Sequence, residues 1–121
     1  MTYKEVATMI KNIGYPCAYY QFPEGTDQAC PFICFYFVRS NDLSADDTNY
    51  QKIRQLAVEL YTDNKDFAAE ETVENALNAS GLFYYREESY LDSERMYMVT
   101  YTTEVVITGD VITTEEITTT Q

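Results

Sequence analysis

Apolar and polar residues change their period several times along this chain, and each change marks an element. Val6, Met9, Ile10 and Ile13 fall at i, i+3, i+4 and i+7, with Lys4, Glu5, Thr8, Lys11 and Asn12 turned away, which predicts an amphipathic helix over Thr2–Ile13. Gly14 suits its end, and Tyr15-Pro16 cannot prolong it, because the residue before a proline is driven towards extended geometry. Cys17–Phe22 then reads as a strand and Pro23–Asp27 as a loop. Pro31–Arg39 (PFICFYFVR) reads as a second strand, so apolar that both faces should be covered, which places it centrally in a sheet. Ser40–Asn49 is polar and acidic and longer than a tight hairpin requires, so it is expected to be a loop.

The clearest succession of signals lies between Tyr50 and Gly81. Over Ile53–Tyr61 the pattern alternates, with Leu56, Val58 and Leu60 on one face and Ala57, Glu59 and Tyr61 on the other, as in a half-buried strand. Thr62–Asp66 supplies turn chemistry, and Asp66 is placed to cap a helix that starts at Phe67. Ala69, Val73, Ala76 and Leu77 form that helix's apolar stripe, while Glu70, Glu71 and Glu74 are expected mostly off it. Gly81, after Ser80, suits a left-handed cap.

Leu82–Leu91 and Glu94–Thr108 alternate around a break at Asp92-Ser93, which predicts an antiparallel hairpin. Tyr97, Val99, Tyr101, Val105 and Ile107 are its better candidates for the core, and its far end is expected to project. The predicted fold class is α/β (α+β): a single domain with a mainly antiparallel four- to five-stranded sheet, two flanking helices and a long C-terminal hairpin. Residues 1–108 form the domain, and 109–121 are a threonine-rich tail, either disordered or ordered on assembly.

Composition narrows the function classes. Eight basic against twenty acidic residues, a net charge of -12, argue against gripping nucleic acid by its phosphates. The start, MTYKEVATM, lacks a signal-sequence pattern, and no apolar run reaches membrane-spanning length, so the expectation is a soluble cytosolic protein. Cys17, Cys30 and Cys34 are odd in number and lie in or beside apolar segments, as free thiols do. With no histidine, a metal site has few ligands to draw on. Asp42, Asp46 and Asp47 lack the glycine and distal glutamate of a calcium loop. Glu70, Glu71 and Glu74 suit the positive end of a helix better than an acid/base pair, and Cys34 has no visible base. No catalytic residue, cofactor or metal site is expected.

Twelve tyrosines and no tryptophan fit either a sheet surface or an association surface. The hairpin favours association, with Tyr90 and Tyr97 at its distal end as candidate interface residues.

The N-terminal helix ending near Gly14, the strand PFICFYFV, the segment ADDTNY, VELYTDNKD before a glutamate-rich helix, and the hairpin YREESYLDSERMYMVTYTTEV together resemble the tail-completion or tail-terminator proteins of long-tailed bacteriophages and prophages. The resemblance covers most of the chain, stops near Thr108, and includes no catalytic motif. It implies a homo-oligomeric ring, commonly a hexamer, at the head-proximal end of the tail. Such a ring ends tail-tube polymerisation and meets the tail tube protein on one side and head connector proteins on the other. DNA would pass through without specific binding. Localisation would be the bacterial host cytoplasm during assembly, then the virion. In a ring, Asp42, Asp46, Asp47, Glu70, Glu71 and Glu74 become candidates for an acidic lumen. The competing reading is an acidic, non-enzymatic binding module or another neck protein.

Overall fold

Thr2 opens the first helix through a reciprocal pair of bonds: the Glu5 amide donates to Thr2 Oγ1 at 3.0 Å, and the Thr2 amide donates to Glu5 Oε1 at 2.8 Å. The computed structural model describes residues 1–40, 43–45 and 49–109. Its elements are α1 (Tyr3–Lys11), β1 (Cys17–Tyr19), β2 (Phe32–Ser40), β3 (Leu43–Ala45), β4 (Asn49–Thr62), α2 (Phe67–Ala79), β5 (Tyr84–Leu91) and β6 (Met96–Ile107).

The strands form one sheet in the order β1-β2-β4-β6-β5, with β3 paired to the start of β4. Only β1 and β2 run parallel. In the registers Ile33↔Leu60↔Val99 and Phe35↔Val58↔Tyr101, large side chains from three strands stack on one face. Both helices pack there, through Val6, Ala7 and Ile10 of α1 and Ala69, Val73 and Leu77 of α2. Among the described residues no helix covers the opposite face, and its buried members are small: Ala18, Cys34 and Ala57. The mixed α+β architecture is as expected.

The start of α2 at Phe67, its Asp66 cap and Gly81 at φ 74 match the sequence pattern, as do the buried faces of β4 and β6 except that Tyr97 is only half-buried and Ala57, on the other face of β4, is buried. Several other expectations are corrected. The first helix stops at Lys11, two residues short of Ile13, and Gly14 lies beyond its Asn12 cap. β1 keeps three residues of the expected six, because Tyr20 turns the chain at φ 69. β2 is interior to the sheet but covered on both faces only over Ile33–Phe35; Val38, Arg39 and Ser40 extend past the three-residue β1 into solvent. Ser40–Asn49, expected to be a loop, contains β3, too short to show a period. Ala76 is only half-buried, and Glu70 takes its place among the buried residues of α2.

Candidate functional site

The sheet edge formed by β5 is the longest unpaired edge among the described residues, and exposed aromatic rings gather along it. Phe83 and Tyr85 are 75% and 72% exposed, with ring centroids 5.4 Å apart at 83°. The chain reaches this edge through Gly81 and Leu82, and Thr103 of β6 anchors it by donating its hydroxyl to the Phe83 carbonyl at 2.5 Å. At the turn end, Tyr90 and Tyr97 are register partners on the helix-bearing face, 4.9 Å apart edge to face. Tyr90 is 49% exposed and Tyr97 half-buried. The two expected interface tyrosines are thus brought together, and Phe83, which sequence reading passed over, exposes more. An apolar residue between a glycine and a strand carries no periodic signal to mark it as outward-facing.

The acidic residues of α2 divide into unlike roles. Glu70 is buried and receives ion pairs from Lys65 and, at 2.5 Å, from Arg86 of β5. Arg86 also lies 3.7 Å from Glu74 and 3.1 Å from Glu88, and Lys65 is 2.6 Å from Glu88. The Tyr101 hydroxyl donates to Glu74 Oε2 at 2.8 Å. The network ties α2 to the hairpin. Glu70, expected off the apolar stripe, is instead a buried structural centre, since its carboxylate is occupied on both oxygens. Glu71 remains exposed. Asp42, Asp46 and Asp47 lie outside the described residues, as does the tail from 110 to 121.

The Glu88 carboxyl is held below its ordinary value of 4.5, chiefly by the hydrogen bond from Lys65, which with the Arg86 hydrogen bond and the two positive charges outweighs the opposing effect of burial. An unfolded chain therefore takes up this proton before the folded one does. The stabilisation is complete above the unfolded value and falls as pH drops through the folded one. In melts between about pH 5 and 3, Glu88→Gln should lose less melting temperature on acidification than the parent.

The uncovered face carries a cleft of about 520 Å³ between β2, β4 and the β5–β6 turn, beneath the 20–28 loop. At its floor the Tyr36 and Tyr61 hydroxyls donate to the two oxygens of Glu59, at 2.9 and 2.7 Å. Burial, followed by the Glu59 hydrogen bond and charge, pushes Tyr36 up to about 12 and Tyr61 further in the same direction. Phe32 stacks on Tyr61 at 4.7 Å, and Tyr20 tilts over Tyr36 at 5.2 Å.

The cysteines form no disulfide and are badly placed for nucleophilic work. Burial raises all three, Cys30 to about 11 with help from Asp63 and Cys34 to about 12 with help from Glu59. Native protein at pH 7 should react with Ellman's reagent far more slowly than denatured protein; equal rates would contradict this placement. Among the described residues no cluster of His, Cys, Asp or Glu has the arrangement of a metal site, and no helix is long and apolar enough to cross a membrane.

No protein-family model matches the sequence, and none of the curated proteins compared matches it. Among solved structures, the chain is similar to one from "Virion of native gene transfer agent (GTA) particle", with a TM-score of 0.56 and 13% identity over 84% of each chain. At that identity the likeness establishes a shared fold.

Proposed function

We propose that this chain is a non-enzymatic structural protein of a phage-like virion, forming a ring at the head-proximal end of the tail that ends tube growth and joins tail to head. The observation that supports this most is the fold shared, over 84% of both chains, with a component of a phage-like particle. A β5 edge unpaired among the described residues, and flanked by Phe83, Tyr85 and Tyr90, offers the apolar surface that head-to-tail closure needs. The partners are further copies of the chain, six in the favoured ring, with the tail tube protein and head connector proteins above and below. The site of action is the host cytoplasm during assembly and then the virion.

Mass photometry over a range of concentrations tests the ring. The parent should give one closed species, and Tyr90→Ala with Tyr97→Ala should leave folded monomers. If that double variant assembles as well as the parent, the contact moves to Phe83 and Tyr85; a parent that stays monomeric at all concentrations rejects the ring. The cleft on the uncovered face gives the binding-module reading its one specific support, and a monomer would favour it.

With Glu70 committed inside the subunit, the lumen reading rests on Glu71, Glu74 and the segment holding Asp42, Asp46 and Asp47. A field screened over about 8 Å acts only within a narrow channel. Charge reversal to lysine should leave tails assembled but slow genome delivery for whichever group faces the channel. Normal infectivity from every assembled variant would reduce the acidity to a solubility feature.

A further inference from the structure

We propose that the cleft beneath the Tyr20 turn is a receptor for an arginine or lysine side chain presented by a basic partner protein. Its floor is a carboxylate that lacks a cation. Glu59 accepts from Tyr36 and Tyr61, one bond to each oxygen, and among the described residues no lysine or arginine pairs with it. A carboxylate has about four acceptor positions, so about two remain open. Asp27 and Glu94 line the same cleft, and no basic residue does.

The walls suit the same ligand. The rings of Tyr20, Tyr36, Phe32 and Tyr61 present π-faces or edges to the cleft, and such faces attract guanidinium and ammonium groups. Tyr20 is held there by an unusual backbone. Its φ is 69, its amide donates to the Phe35 carbonyl at 2.7 Å, and the Gln21 amide donates to the Tyr19 carbonyl at 2.8 Å. This is a γ-turn of the rare positive-φ kind, strained for a bulky side chain. The turn sets a 63% exposed ring across from Tyr36.

Charge favours a foreign partner over a second copy. A cleft lined by Asp27, Glu59 and Glu94 complements a basic surface, which a chain of eight basic against twenty acidic residues offers poorly. The receptor is independent of ring closure.

The test uses the full chain with isotope-labelled tyrosine and methylguanidinium chloride as the probe. N-methylurea, its neutral planar counterpart, and sodium chloride at matched ionic strength are the controls. Saturable shifts of the Tyr20, Tyr36 and Tyr61 ring signals are expected at concentrations on the order of 10 mM, and none with either control. Glu59→Gln should weaken binding about five-fold or more. Tyr20→Gly removes one wall while accepting the positive φ, so it stays folded and should also bind less well. Equal shifts from N-methylurea, or unchanged affinity in both variants, would overturn the assignment. So would a loss of self-association in Glu59→Gln without any response to methylguanidinium, which would put a second copy in the cleft.

Discussion

Leu60→Ala is expected to lower stability by about 2–5 kcal/mol, the range for truncating a buried leucine, and to reduce the melting temperature by on the order of 10 °C. Leu60 is 1% exposed in β4 and sits between its register partners Ile33 and Val99, inside the cluster that both helices cover. A cavity there is bounded by strands hydrogen-bonded on both sides, so the surroundings cannot collapse into it without distorting the sheet. Thermal and urea melts of the purified variant read the effect directly. An unchanged melting temperature would mean that the helical layer lies against the other face of β4.

Glu70→Ala should be the most damaging single change among the acidic residues of α2, by about 2 kcal/mol. The value lies below the ~3–5 kcal/mol typical of breaking a wholly buried pair, because Lys65 and Arg86 side chains are 22% and 36% exposed and can turn to water. Glu71→Ala, one residue on but solvent-facing, should change stability by less than about 0.5 kcal/mol. Urea midpoints at constant slope separate the two; equal midpoints would remove the network from any structural role.

The contrast between these neighbours also marks where sequence reading stops. Alternation fixed which side of β4 and β6 is buried, because a period of two leaves one face for Leu56, Val58 and Leu60 and one for Glu59 and Tyr61. Asp66, Phe67 and Gly81 were legible because caps depend on local chemistry. Glu70 was not, because its burial depends on Arg86 arriving from β5 and Lys65 from the preceding turn, which no helical period encodes. The cleft was equally hidden. Glu59 read as the polar member of a half-exposed face, and only the pairing of β2 with β4 brings Tyr36 to one of its oxygens. The pairing of Tyr90 with Tyr97 lay closer to the sequence, since a hairpin register follows from its turn.

The γ-turn at Tyr20 has a consequence for how this chain would change under selection. A library screened for heat tolerance alone should drift to glycine at position 20, which relaxes a positive φ and leaves the core untouched. Screened instead for capture of a basic partner, the same library should retain an aromatic residue there and accept the lower melting temperature. Divergence of the two populations at this position would mark a trade between robustness and recognition, fixed by one dihedral angle.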